Sequence, residues 1–182
     1  MSDLSAVHLT QQRELQPKVG ISSCLIGNPV RYDGNGKHHQ LINEELSPWL
    51  DLQVICPEVE AGLGIPRPPV KLVEVQGNIR ALGRENTTLD VTEVLTATAE
   101  KLSSTQCQEL CAYIVKSRSP SCGSGSTPKH DLDGNSRENI DGLFVKALKA
   151  RCPNIVVVEE SSLDDIQKCR EFLEQCYLLS ER

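Results

Sequence analysis

Short apolar segments alternate along the chain with longer segments of helical periodicity. The short segments are rich in Val and Ile, which is typical of strands buried on both faces of a parallel sheet. They are residues 18–23, 52–56, 111–116 and 155–158. The longer segments repeat apolar residues at the spacing of an amphipathic helix. They are residues 41–50, 90–110, 137–150 and 163–178, with Asp90 and Ser161 or Ser162 as candidate caps.

One segment between these elements has a different pattern. Residues 66–84 begin with three prolines, and β-branched residues then flank Gly77 and Asn78, which predicts a β-hairpin or flap. Alternating strands and helices predict an α/β fold. We expect three layers, with a mainly parallel sheet of about four strands between helices and a small β-hairpin flap.

The length of 182 residues suits one domain. Residues 1–16 are polar and lack helical caps, so they are predicted to form a mobile N-terminal extension. Residues 17–182 are predicted to form the single α/β domain. No apolar stretch reaches the roughly 20 residues that cross a bilayer, and the N-terminus has no signal-like apolar centre. We therefore expect a cytoplasmic protein without a membrane partner.

The charge balance bears on the partner. The chain carries 19 basic and 25 acidic residues, for a net charge of −6, and its aromatic content is 3%. Nucleic-acid binding normally uses a basic excess, and single strands also stack on aromatic side chains. The composition therefore disfavours nucleic acid and favours a small substrate, and it leaves the oligomeric state open.

Three of the eight cysteines follow predicted strands. Cys24, Cys56 and Cys122 each lie in the loop after such a strand. Loops at the carboxyl ends of parallel strands meet at one edge of the sheet, so we expect these three thiols to converge. Metal binding or catalysis is the first hypothesis for cysteines in a reducing compartment. The other five are predicted to pack as small apolar side chains: Cys107, Cys111, Cys152, Cys169 and Cys176.

Three convergent thiolates are compatible with two kinds of metal centre. One is a zinc ion with an open fourth position. The other is a 4Fe–4S cluster, which normally takes four cysteines and would here keep one iron without a cysteine ligand. The spacing of the cysteines does not distinguish the two.

Three motifs, in this order, resemble the thiouracil desulfidase family over roughly residues 18–176. They are Cys24-Leu25-Ile26-Gly27 with Arg31-Tyr32-Asp33-Gly34, then Cys56-Pro57-Glu58 with Gly62-Leu63 and Pro66-Arg67-Pro68, then Lys116-Ser117-Arg118-Ser119-Pro120-Ser121-Cys122-Gly123. The resemblance implies a Rossmann-like domain that binds a 4Fe–4S cluster through Cys24, Cys56 and Cys122. It also implies an enzyme that removes sulfur from 2-thiouracil or a similar base, giving uracil and hydrogen sulfide without net electron transfer.

Residues beside the cysteines are candidates for the remaining chemistry. Glu58 and Ser119 lie where a general base or proton shuttle is needed, although Glu58 could instead pair with Arg67 and Ser119 could cap a turn before Pro120. Arg31 and Arg67 are candidate substrate-binding residues, or they brace the loops.

Two alternatives remain at this point. One is a desulfidase that acts on thiolated uridine in tRNA, and the other is a non-catalytic iron- or zinc-binding module. The chain also departs from the family pattern after Cys122, where residues 130–133 replace an aromatic residue. This stretch either contacts a different thiolated base or nucleoside or forms a surface turn.

Overall fold

A four-stranded parallel sheet forms the centre of the computed structural model, which describes residues 16–180. Its strands are β1 (Lys18–Ser22), β2 (Asp51–Ile55), β5 (Ala112–Val115) and β8 (Val156–Glu159), in the order β2-β1-β5-β8. The register places Val19 beside both Leu52 and Ala112. These are the four predicted strands, and their parallel pairing confirms the expected fold class.

Helices cover both faces of this sheet. The helices are α1 (Pro57–Glu60), α2 (Thr92–Thr105), α3 (Leu143–Arg151) and α4 (Ile166–Ser180). Ile21 and Ile114 face one core, shared with Phe172 of α4 and with a π-helical turn at Ile42–Leu46. Alternate residues Tyr113 and Val115 face the other core, which α2 and α3 cover. The sheet is therefore the middle of three layers, because successive strand residues point to opposite faces.

A second, mixed sheet extends the predicted hairpin. Its strands are β3 (Val70–Val75), β4 (Asn78–Gly83), β6 (Thr127–His130) and β7 (Ser136–Ile140), in the order β4-β3-β6-β7. Strands β3 and β4 pair antiparallel as expected, and β6 lies parallel to β3. The hairpin is thus half of a sheet whose own core includes Leu72, Ala81 and Leu95.

Two predicted helices are wrong at their starts. The helix expected from residue 137 begins at Leu143, because β7 pairs antiparallel with β6 and Ile140 packs in the core of the mixed sheet instead. The last helix begins at Ile166, and its cap is Asp165, whose Oδ1 accepts a hydrogen bond of 2.9 Å from the backbone N–H of Lys168. Ser162 donates to the carbonyl of Glu159 and does not cap the helix.

The predicted N-terminal extension, residues 1–16, lies outside the described residues except for Gln16. The boundary at residue 17 therefore stays a prediction. Within the described residues, no helix is both long and apolar enough to cross a membrane.

Candidate functional site

The three cysteine loops meet at the carboxyl edge of the parallel sheet. Cys24 lies in the 3-10 turn Ser23–Ile26 that follows β1, and Cys56 directly follows β2 and precedes α1. Cys122 lies in the loop after β5. Because β1 is the neighbour of both β2 and β5, the three loops are adjacent in space.

All three cysteines line one cavity of about 400 Å³. Ser22 and Ile55 of the parallel sheet line this cavity, and so do Val70 of the mixed sheet and its flanking residues Pro69 and Arg84. The turn after β1 needs a glycine at position 27, where φ is 96° and the backbone N–H bonds the carbonyl of Cys24 at 3.1 Å. The fold thus brings together the three thiols that the sequence predicted to converge.

The three thiols are protonated at neutral pH in the absence of a metal. Burial raises the pKa of Cys24 to about 11, with a further increase from the nearby Cys56 and a decrease from Arg31. Burial also raises the pKa of Cys56 and of Cys122, and each of these values responds to charges at the site. Metal binding must therefore displace their protons.

The donor set of the cavity consists of three cysteine thiols, which are soft ligands. Among the described residues, no three His, Cys, Asp or Glu side chains form a group that could hold a metal ion. A tetrahedral zinc site, with Zn–S bonds of about 2.3 Å, would hold its sulfurs only about 3.8 Å apart. In a 4Fe–4S cluster each cysteine binds a different iron, so the sulfurs lie further apart. Three soft donors around one cavity fit the chemistry of the cluster, and they also suit zinc.

The five other cysteines lie outside this cavity. All eight cysteines, which are all in the described part of the chain, are free thiols. Cys107 and Cys152 pack in or against the core beneath α2 and α3, whereas Cys169 and Cys176 pack in the core beneath α4. Cys111 packs against the core beneath α4, and its thiol donates to the carbonyl of Lys18 at 3.4 Å. Their packing agrees with the structural role predicted for them.

Glu58 is held in the cavity wall by two partners. Its Oε2 accepts from Nε and Nη2 of Arg67, both at 2.8 Å, and its Oε1 accepts from the hydroxyl of Ser121 at 3.0 Å. The Arg67 and Glu58 side chains are only 8% and 13% exposed. The pairing of Glu58 with Arg67, one of the alternatives open from the sequence, is present. It fixes the carboxylate in one orientation beside the cysteines. Ser121 was not predicted, because this contact spans 63 positions of sequence.

Ser119 caps the loop that carries Cys122. Its Oγ accepts from the backbone N–H of Ser121 at 3.3 Å and of Cys122 at 3.1 Å. Ser119 also lines the cavity. Both contacts use lone pairs of the oxygen, so the hydroxyl proton is left to donate. The predicted turn and the predicted proton-transfer role are therefore compatible.

The cavity wall is rich in cationic side chains. Arg31 is half-buried, lies over the ring of Tyr32 with its Cζ 5.5 Å from the centroid, and contacts Asp33 at 3.4 Å. Lys37, Arg84 and Arg118 line the cavity at exposed positions. This positive charge favours thiolates and other anions in the cavity. Residues 130–133, where the sequence departs from the family pattern, are not part of this wall.

A buried ion pair supports the start of the third loop. Glu160 is 7% exposed and accepts from the backbone N–H of Ser117 at 2.6 Å, from its hydroxyl at 2.8 Å, and from Lys116 Nζ. Burial alone would raise the pKa of Glu160, but the hydrogen bonds from Lys116 and Ser117 outweigh it and lower the pKa. Glu160 was not predicted from the sequence, because its partners lie more than 40 positions away.

Glu160→Gln is expected to destabilise the metal-free protein by about 3 kcal/mol at neutral pH, because Lys116 would keep a buried charge without its partner. The pKa of Glu160 is lowered by folding, so its stabilising effect is present above the ordinary value of 4.5 and is lost as the pH falls through the folded value. In urea unfolding, the free energy of unfolding should therefore be higher for the wild type than for Glu160→Gln at pH 7, and this difference should shrink below pH 4.5. The exposed Glu174→Gln is the control, and an advantage that does not change with pH would contradict this role.

The region that carries this site matches a known family. The family model described as 2-thiouracil desulfurase matches residues 19–160, which include all three cysteines, Glu58 and Ser119. The chain belongs to the 2-thiouracil desulfurase family. A curated relative, the uncharacterized protein YbbK of Bacillus subtilis (strain 168), is 30% identical over 155 residues, which cover 80% of this chain and 97% of YbbK.

The chain is also similar to a solved structure. The [4Fe-4S]-dependent thiouracil desulfidase TudS superposes with a TM-score of 0.63 and is 29% identical, covering 86% of this chain and 99% of TudS. The chain therefore shares the fold of this desulfidase over most of its length.

Proposed function

We propose that this protein is a 4Fe–4S-dependent desulfidase that converts 2-thiouracil, or a closely related thiolated base, into uracil and hydrogen sulfide. The reaction adds one water and releases one hydrogen sulfide, so atoms balance and no electrons are transferred. The convergence of Cys24, Cys56 and Cys122 on one cavity carries the proposal. The family match and the similarity to TudS support it.

The three cysteines are the proposed ligands. When bound there, a 4Fe–4S cluster supplies one iron without a cysteine ligand, a Lewis acid with affinity for sulfur. The cavity of about 400 Å³ has room for a small base beside it. Arg31 lines the same cavity and donates toward the substrate carbonyl in this proposal.

Glu58 is the proposed general base. The C–S carbon must be attacked by water, and a carboxylate that accepts the water proton makes that attack easier. Arg67 occupies both lone pairs of Oε2 through Nε and Nη2, and Ser121 occupies one lone pair of Oε1, which leaves the second lone pair of Oε1 for the water. Arg67 thus positions Glu58 in addition to any contact it makes with the substrate.

Ser119 is the proposed proton shuttle. Its oxygen is fixed by two backbone N–H groups, and its own proton is free to move toward the substrate or the departing sulfur. A hydroxyl fixed in this way exchanges a proton with little rearrangement.

Ser119→Ala is expected to retain the cluster but to lower turnover by about a hundredfold, the lower range for losing a positioned proton-transfer group. Iron content and initial rate should be measured on the same preparation, with Ser119→Thr as the variant that keeps the hydroxyl. Full activity of the alanine variant would remove Ser119 from the mechanism. Parallel loss of iron and activity would assign it to the loop alone.

A second candidate substrate is thiolated uridine within RNA. The exposed Lys37, Arg84 and Arg118 at the cavity favour a substrate that brings phosphate groups to the opening. The net charge of −6 favours the free base instead.

One assay separates these functions. The protein is purified and reconstituted with iron and sulfide without oxygen, and the release of sulfide and uracil is measured from 2-thiouracil and from thiolated tRNA. We expect equal amounts of uracil and sulfide from the free base, and none from protein loaded with zinc. Release from tRNA alone would favour the second substrate, and no release by the iron-loaded protein would indicate a metal-binding module.

A further inference from the structure

An exposed aromatic side chain lines the cysteine cavity. The chain has one Trp, three Tyr and two Phe, all within the described residues, and Tyr32 is the one that lines this cavity. It is 40% exposed, whereas Phe144 and Phe172 are buried in the two cores beside the parallel sheet. A single exposed aromatic residue on a surface needs no explanation, but one in the wall of a proposed substrate cavity offers a flat ring to a ligand.

Tyr32 lies in a turn whose backbone is fixed. The N–H of Gly34 donates to the carbonyl of Arg31 at 2.9 Å and closes the turn. The carbonyl of Tyr32 accepts from the N–H of Arg67, also at 2.9 Å. The turn is therefore tied to the loop that carries Arg67, the partner of Glu58, and the backbone of Tyr32 is fixed relative to the proposed general base.

The ring of Tyr32 is only partly covered. The Cζ atom of Arg31 lies over it, 5.5 Å from the centroid. This distance exceeds the roughly 3.5–4.0 Å of direct van der Waals contact, so the guanidinium leaves ring surface open. The 40% exposure of Tyr32 agrees with this open surface. A planar ligand in the cavity can therefore lie against the ring, with one edge near the guanidinium that the proposed function assigns to the substrate carbonyl.

We propose that Tyr32 is a specificity-determining residue whose ring stacks on the pyrimidine ring of the substrate, an inference that rests on the proposed function. Aromatic rings attract one another in offset-stacked arrangements, and every nucleobase has a π-face that can stack on a protein side chain. Hydrogen bonds alone do not distinguish a conjugated pyrimidine from a saturated ring with the same polar groups. Stacking makes that distinction, because a saturated ring is not planar and has no π-face.

Tyr32→Leu tests the inference because it keeps an apolar side chain and removes the ring. In the reconstituted protein it should raise KM for 2-thiouracil and Kd for the product uracil by roughly 5- to 150-fold, the range for losing one base–aromatic stack. Tyr32→Phe keeps the ring and should retain both constants. Trp49→Leu is the matched control, because Trp49 is an aromatic residue that is 55% exposed and lies outside the cavity.

A saturated analogue separates stacking from a change in the shape of the wall. Dihydrouracil has the carbonyl and N–H groups of uracil without the conjugated ring, and its Kd is measured by equilibrium dialysis beside that of uracil. The wild type should bind uracil more tightly than dihydrouracil, and Tyr32→Leu should lose most of that preference. An unchanged preference in Tyr32→Leu would overturn the inference, because Tyr32 would then act only on the shape of the wall or on Arg31.

The outcomes also separate the inference from the proposed function. If the reconstituted wild type releases no sulfide from 2-thiouracil, the proposed function itself fails and the inference fails with it. If the wild type releases sulfide and Tyr32→Leu has the same KM and the same Kd, the inference alone is overturned. Iron content is measured for each variant, and loss of iron in Tyr32→Leu would also overturn the inference, because Tyr32 would then support the cluster loops and not the substrate.

Discussion

Replacing Cys122 by alanine is expected to prevent assembly of the cluster and to lower desulfidase activity by more than about a hundredfold. Loss of a residue that only hydrogen-bonds a metal ligand costs up to about a hundredfold, and loss of a ligand itself should cost more. Cys122 is 6% exposed and lines the cavity with Cys24 and Cys56, and its burial raises its pKa well above the usual value. Its loss leaves two thiols to hold a centre that normally takes four. Cys24→Ala should behave in the same way.

The control for this experiment is Cys152→Ala, which removes a half-buried thiol outside the cavity. Iron and acid-labile sulfide should be counted per chain in all variants after the same anaerobic reconstitution, and circular dichroism of the metal-free proteins should confirm that the fold is kept. Iron retained in Cys122→Ala but lost in Cys152→Ala would contradict the assignment of the ligands.

The second large effect is expected for Glu58→Gln, which should keep the cluster and lower kcat by about 10² to 10⁴, the contribution typical of a general base. The amide has nearly the same shape as the carboxylate, so its oxygen can still accept from Arg67, but it cannot take a proton from water. KM for 2-thiouracil should change little, since the substrate contacts in this proposal come from other residues.

Glu60→Gln is the matched control, because Glu60 lies in the same short helix α1 at an exposed position. A purely structural role for the Glu58–Arg67 pair would appear as reduced cluster content or lower melting temperature with unchanged turnover per cluster. That result would remove Glu58 from the chemistry and leave it a role in bracing the loops.

The inner strands of the central sheet, β1 and β5, could be predicted from local sequence because they are buried on both faces. Val19 and Ile21 in β1, and every residue of β5, are buried, so these segments read as continuous apolar runs. Strands β6 and β7 carry no such pattern. They consist of Thr-Pro-Lys-His and Ser-Arg-Glu-Asn-Ile and are held by backbone pairing with β3 and with each other. Such pairing is decided by tertiary structure, which a local pattern does not contain.

The candidate site was predictable to the extent that topology determines it. Cys24, Cys56 and Cys122 could be placed together because each follows a parallel strand. The support of Glu58 by Ser121 could not be predicted, since it depends on a tertiary contact between distant loops. The nature of the cofactor followed from the family resemblance, because spacing alone left zinc and a cluster equally open.

The Mössbauer spectrum of protein reconstituted with ⁵⁷Fe tests most directly whether three cysteines hold a cluster with one iron left without a thiolate. Four irons per chain in a 3:1 ratio of environments are expected, because three irons would each have one cysteine ligand and the fourth none. The proposal that three cysteines hold a four-iron cluster would be contradicted by a single iron environment or by two iron environments of equal population. A chain that accepts only zinc would also contradict it.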